Sequence, residues 1–163
     1  MSAERQAASV PAVPIFGTPK WFLGGSDHTS DDSGHVAQSK PVKIVVIDDE
    51  PVIAETVVEI LKEEGFQAVS VSNGAAAVEL AKTLRPDLIL SDVIMPGLNG
   101  IETAIQVREI VPTCKIILFS GQAATVDLLE NARRQGHRFE VLAKPISPER
   151  LISIIRTTSG RLS

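Results

Sequence analysis

The sequence predicts an α/β fold of the (βα)5 kind, a doubly wound parallel five-stranded sheet with helices on both faces. Two observations carry that expectation. Five short apolar runs alternate with segments whose apolar residues recur at helical spacing, and four of those runs end on residues able to do chemistry: Asp48-Asp49, Asp92, Ser120 and Lys144. With 44% hydrophobic residues in 163, the chain is long enough for one domain with a real core and some extra length.

Each element has its own signal. Val42 to Ile47 is rich in β-branched residues and fits a strand buried on both faces. Pro51 follows the acidic pair where a first helical turn tolerates it, and Ile53, Val57, Ile60 and Leu61 recur at helical spacing. Gly65 stops that helix. Phe66 to Val71 alternates as a second strand, Asn73-Gly74 turns the chain, and Ala75 to Leu84 is helical with Val78, Ala81 and Leu84 on one side. Arg85-Pro86-Asp87 breaks it. A strand from Asp87 to Ser91, a loop from Asp92 to Asn99, a helix from about Gly100 to Ile110 and a strand from Lys115 to Phe119 repeat the pattern. A helix from about Ala123 to Gln135, a strand near Phe139 to Leu142 and a helix from Pro148 to about Thr157 complete it. Right-handed crossovers between parallel strands then place helices on both faces.

Residues 1 to 40 form a different compositional zone, with Pro11, Pro14, Pro19, Gly24, Gly25 and a Ser/Asp/His stretch, and are read as a disordered extension. Within it, Lys20-Trp21-Phe22-Leu23 holds the sole tryptophan and reads as a docking peptide, a loosely attached hydrophobic patch or the product of a start site placed too early. A net charge of −4 implies neither a nucleic-acid groove nor an anionic membrane surface. Cys114 is the only cysteine, so no internal disulfide forms. No apolar stretch is long enough to cross a bilayer and no basic-then-apolar leader opens the chain, so a cytoplasmic protein is expected.

In a parallel sheet the carboxyl ends of the strands share one edge, where ligands of open α/β folds bind. Three carboxylates, one hydroxyl and one lysine would therefore converge, a set suited to a divalent cation and a phosphoryl group. Magnesium prefers near-octahedral oxygen coordination and keeps several waters, so Asp48, Asp49 and Asp92 with one backbone carbonyl, that of Ile94, are sufficient. The bland alternative for Asp48-Asp49 is a helix N-cap. Asp92 can act as a nucleophile, because aspartate carboxylates form acyl phosphates. Lys144 can pair with that carboxylate and later hold a phosphoryl oxygen, and Ser120, with Gly121 beside it, can offer its hydroxyl to another. His28, His35 and His137 have no ligand-like spacing.

The runs Ile44-Val45-Val46-Ile47-Asp48-Asp49-Glu50 and Asp87-Leu88-Ile89-Leu90-Ser91-Asp92-Val93-Ile94-Met95-Pro96 precede Asn99-Gly100, Ser120-Gly121 and Lys144-Pro145. Together they resemble the receiver domain of two-component response regulators over about Pro41 to Ser159, giving a domain at residues 41 to 160. The resemblance implies a flavodoxin-like sheet in the order 2-1-3-4-5, which is the order of chemotaxis receivers and is carried over from them. It also implies that Asp92 accepts a phosphoryl group from a histidine kinase or phosphotransfer protein, with Asp49 binding Mg2+ directly and Asp48 through water. Ser120 and Lys144 would read the phosphoryl group and shift the face of the fourth helix, fifth strand and fifth helix, where a downstream partner binds.

Receivers usually carry Tyr or Phe three residues before the lysine; here Val141 stands there, with Phe139 able to substitute through a bulge. At the two positions that commonly tune phosphoryl lifetime stand Ile94 and Gln122, and an apolar Ile94 would position attacking water poorly, so a long-lived phosphoryl form is expected. The chain ends soon after its last helix, so a stand-alone receiver without a DNA-binding domain is expected, acting on a partner or as a phosphorelay intermediate or phosphate sink. It would not be an enzyme beyond its own phosphorylation and dephosphorylation. A small aspartyl-phosphate hydrolase would want its nucleophile at the end of the first strand and an acid two residues later, where Glu50-Pro51 stands. A flavin module would need a phosphate-cradling loop there, and Asp48-Asp49-Glu50 repels phosphate. A histidine kinase is excluded by length and by the lack of a glycine-rich nucleotide site.

Overall fold

A computed structural model describes residues 40–121 and 125–160; the extension, the Lys20 to Leu23 motif, His28, His35 and Gln122 lie outside them. Along the chain run β1 (Lys43–Ile47), α1 (Pro51–Glu63), β2 (Gln67–Val71), α2 (Gly74–Leu84) and β3 (Leu88–Asp92). Then come α3 (Gly100–Ile110), β4 (Lys115–Ser120), α4 (Thr125–Arg134), β5 (Glu140–Ala143) and α5 (Pro148–Ser159). All five strands are parallel, in the order β2-β1-β3-β4-β5 expected of the fold.

The central strands are apolar along their middles because both their faces are covered. Ile44, Leu88, Ile89, Leu90, Ile117 and Leu118 are fully buried, each worth roughly 2 kcal/mol against exposure. On α1 the inward row is Ala54, Val58 and Leu61, with Val57 and Ile60 flanking it. Ile53, expected inside, is 40% exposed. Its helical spacing to Val57 and Ile60 is sound, but the buried stripe is centred one residue further round the helix.

Local chemistry sets the ends. Phe66, expected in β2, instead closes α1: its N–H donates to the Leu61 carbonyl and the Gly65 N–H to the Lys62 carbonyl, with Gly65 at φ +88°. Those paired bonds require a left-handed residue after the helix, the region that favours glycine. Asn73 lies in the bend between β2 and α2, as expected, and also caps α2, its Oδ1 accepting the Ala76 N–H at 2.8 Å. Asn99 builds a capping box on α3, accepting the Glu102 N–H at 2.9 Å while Glu102 Oε2 accepts the Asn99 N–H at 3.1 Å. Gly100 follows because a Cβ there would overlap the Asp92 carbonyl oxygen. Cys114 is buried, and loss of hydration, reinforced by the Asp87 charge, pushes its thiol up to about 12.

Gly100 and Gly65 separate overlap from backbone conformation. Gly100→Ala should lower unfolding stability by about 3 kcal/mol, because the new methyl meets rigid backbone rather than a mobile side chain. Gly65→Ala, where a Cβ meets nothing within 4 Å, should cost only about 1 kcal/mol. Urea unfolding of the two variants beside the wild type checks both values.

Candidate functional site

Parallel pairing gathers the site. Asp92 is the last residue of β3 and Ser120 the last of β4, Asp48 follows β1 directly, and Lys144 follows β5. The strands are in register up to Ile47 with Ser91, Asp92 with Phe119, and Ser120 with Ala143. Asp48, Asp49 and Asp92 each bring one carboxylate oxygen within 4.8 Å of the other two.

The three differ in surroundings. Asp48 is 6% exposed, and its Oδ1 accepts the Glu50 N–H at 2.9 Å. The N-cap of α1 is Glu50, without a side-chain cap, so the acidic pair does not serve as that cap. Asp49 is exposed. Asp92 is half-buried, with Oδ1 accepting the Ile94 N–H at 3.2 Å and Oδ2 accepting from Lys144 Nζ at 2.9 Å. Lys144 Nζ also stands 3.8 Å from Asp48 Oδ2, and the Lys144–Pro145 peptide is cis. Burial works against the Lys144 ammonium. The hydrogen bond and charge of Asp92, with the charges of Asp48 and Glu50, outweigh that and hold its pKa above the ordinary lysine value.

Three carboxylates against one ammonium leave a formal charge of −2. All-oxygen donors suit a hard cation, and ligand oxygens on a magnesium ion stand roughly 3 to 4 Å apart, a spacing that small side-chain rotations reach. Asp48, Asp49 and Asp92 therefore fit a divalent ion.

Ser120 has a neighbour that sequence reading missed: its hydroxyl is hydrogen-bonded to that of Thr125, the first residue of α4. A threonine five residues after a strand end carries no sequence signal of its own. Beside this pair a surface cavity of about 400 Å3 is lined by Thr125, Leu129, Val141 and Ala143, among others. Phe139 is not there. The β4–β5 register runs without a bulge from Glu140, so Phe139 stays outside β5, with the Arg108 guanidinium 4.6 Å from its ring centre and His137 stacked on it. Val141 lines the cavity at the position three before Lys144.

The sequence pattern of the response regulator receiver domain matches residues 44–156. The chain belongs to that family, and is the receiver domain of a two-component response regulator, a signalling domain. Phosphorylation and Mg2+ are typical of this family, and its members interact with histidine kinases or phosphotransfer proteins.

Among relatives, the probable transcriptional regulatory protein TcrX of Mycobacterium tuberculosis is 30% identical over 77% of this chain and 53% of its own. The transcriptional regulatory protein PdtaR of the same species is 36% identical over 74% of this chain and 58% of its own. The chain thus spans little more than half the length of these relatives. Among solved structures, the Vibrio cholerae chemotaxis protein CheY4 has a TM-score of 0.65 at 25% identity, covering 73% of this chain and 99% of that one. A response regulator receiver domain protein of Clostridium thermocellum has a TM-score of 0.66 at 26% identity, over 74% of this chain and 95% of that one. No helix among the described residues is long and apolar enough to cross a membrane.

A raised lysine pKa has a definite sign in stability. The Lys144 ammonium stabilises the fold fully below its ordinary value of 10.5, and that contribution is lost as pH rises through the higher folded value. Lys144→Met should therefore be less stable than the wild type at pH 8 by about 1 kcal/mol. The gap should narrow as the buffer is taken above 10.5, as read by urea unfolding of both proteins across that range.

Proposed function

We propose that Asp92 accepts a phosphoryl group from a histidine kinase or phosphotransfer protein, and that the domain signals by changing which protein binds it. The observation that carries this reading is the convergence on one carboxylate of a lysine at 2.9 Å and two further carboxylates whose oxygens lie within 4.8 Å. An Asp92 oxygen attacks phosphorus, the phosphorus–nitrogen bond to the donor imidazole breaks, and the imidazole leaves with that electron pair. The Lys144 ammonium, already on Asp92 Oδ2, is placed to transfer a hydrogen bond to a phosphoryl oxygen. Ser120, at the end of the neighbouring strand, supplies a hydroxyl to another.

Asp49 and Asp48 would hold Mg2+ with Asp92 and the Ile94 carbonyl. A bound ion would neutralise the carboxylates and the charge of the incoming group. The face made by α4, β5 and α5 is the proposed output surface, because Ser120 and Lys144 sit at the ends of β4 and β5 and Thr125 opens α4. Ile94 is 43% exposed at the mouth of the site, and its apolar side chain offers no group to orient an attacking water. The phosphoryl form is accordingly long-lived in this reading.

Incubation with acetyl phosphate and magnesium tests the proposal on a phosphate-retarding gel. The wild type should shift, Asp92→Asn should not, and chelator should abolish the shift. After removal of the donor the shifted band should persist for minutes or longer; decay within seconds would overturn the role given to Ile94. Absence of any shift, with acetyl phosphate and with a kinase donor alike, would overturn Asp92 as the acceptor.

A further inference from the structure

Val126 and Leu129 stand three residues apart on one side of α4, and with Val141 and Ala143 of β5 they wall the surface cavity of about 400 Å3. Val126 is 59% exposed. β5 is an edge strand, so no further strand covers this side of the sheet. Leu142, between Val141 and Ala143, belongs to the core on the opposite face. Lys144 lines the cavity too, but its ammonium is held by Asp92, which leaves the methylene stem to the wall. The volume is near the lower end of the roughly 300–1,000 Å3 of ligand pockets, room for one large side chain rather than for a whole helix.

Positive charge marks the rim beside it. Arg133 follows Leu129 by one helical turn, about 6 Å along α4, and is exposed. The stretch from Arg133 to Arg138, which closes α4 and leads to β5, holds three arginines and no acidic residue, whereas the whole chain carries a formal charge of −4. Arg134 is paired with Glu130 at 2.8 Å, and among the described residues Arg133 and Arg138 make no ion pair. Two residues of extended chain span about 7 Å, so a segment with a ring in the cavity would bring a carboxylate two residues away beside Arg133.

We propose that this cavity is the docking point of a partner protein segment that inserts one aromatic side chain between α4 and β5 and sets carboxylates against Arg133. The inference rests on the reading of α4, β5 and α5 as the output surface and names the chemistry of its partner. An aromatic side chain, which buries roughly 150–250 Å2, uses the apolar walls while the flanking carboxylates use the arginines. A nucleic acid would satisfy the arginines through its phosphates and would not need the cavity. Ser120 and Lys144 share the cavity walls, so a phosphoryl group on Asp92 changes the affinity for the segment.

The test titrates the full chain, followed by amide NMR, with a heptapeptide that has phenylalanine at its centre and glutamate two residues to either side. The same peptide with a central alanine is the comparison. In the wild type the phenylalanine peptide should shift the signals of Val126, Leu129 and Val141 and bind about tenfold more tightly than the alanine peptide, the gain from burying one ring. Val141→Phe, which puts the chain's own ring into the cavity, should abolish that difference. Arg133→Glu, on the exposed side of α4, should weaken both peptides about threefold. Equal binding of the two peptides by the wild type would overturn the proposal, since charge alone would then hold them, as it would a nucleic acid. An undiminished preference for phenylalanine in Val141→Phe would overturn it as well, because the ring would then bind elsewhere. Saturation with beryllofluoride, a tetrahedral phosphoryl mimic, in magnesium separates the inference from the reading it rests on, and should change the wild-type affinity for the phenylalanine peptide. Ring-selective binding that beryllofluoride leaves unchanged would overturn the output-surface reading and the partner with it. Absence of ring selectivity, while beryllofluoride still shifts the α4 and β5 signals, would overturn the docking inference alone.

Discussion

Crowding of like charge at the carboxyl edge of the sheet is the constraint on which the rest of the structure depends. Two unit charges about 5 Å apart repel by about 3 kcal/mol at an effective dielectric near 20, and three carboxylates here approach within 4.8 Å. The carboxylates repel one another, and the backbone holds their positions. β1 and β3 are adjacent parallel strands whose runs Ile44 to Ile47 and Leu88 to Leu90 are buried, so their ends are fixed by hydrophobic packing. The core holds an arrangement that the acidic groups alone would push apart. Lys144 offsets part of that repulsion, and a bound divalent cation would relieve more of it.

Local features also fix the backbone at Asp92. Asn99 and Glu102 cap α3, and Gly100 brings the helix start against the Asp92 carbonyl with no room for a methyl group. Gly74 plays a similar part between α2 and Leu98 and Thr103, so α2 and α3 pack closely beside the same edge. Asp92 is thus held by backbone on a strand and against a capped helix, while the Lys144 ammonium arrives on a long side chain from the end of the edge strand β5.

Much of this was legible in the sequence, for a physical reason. Buried parallel strands must be apolar, and a polar residue at the end of such a run, as at Asp92 or Ser120, marks where the chain leaves the core. What could not be read follows from the same physics. Ile53 fits the helical spacing of α1, yet Ala54 takes the inward place, and alanine gives a weak periodic signal. Asn73 marks a bend in the sequence, and the same residue type also caps helices; only the hydrogen bond from Ala76 shows that it does both here. Thr125 escaped notice because its importance is a contact with Ser120, and no spacing rule encodes a hydroxyl meeting a hydroxyl across a loop. Choosing between Phe139 and Val141 required the β4–β5 register, which depends on how residues 136 to 139 leave α4. Gly136 at φ +90° and the His137 N–H on the Ala132 carbonyl close that helix, and β5 begins only at Glu140.

The edge position of β5 gives the short side chain at Val141 its significance. An edge strand has one neighbour, so β5 is held by β4 on one side and by the helices packed on its faces. Its terminal residue pair, Ser120 with Ala143, lies directly before Lys144, whose N–H bonds back to Ser120. Lys144 and Ser120 are therefore joined through one ladder, so any re-aiming of the ammonium would draw on the backbone that carries the serine. With a large ring at position 141, such motion would need a rotamer change in a filled space. With valine there, the cavity lined by Thr125, Val126 and Leu129 stays open beside it.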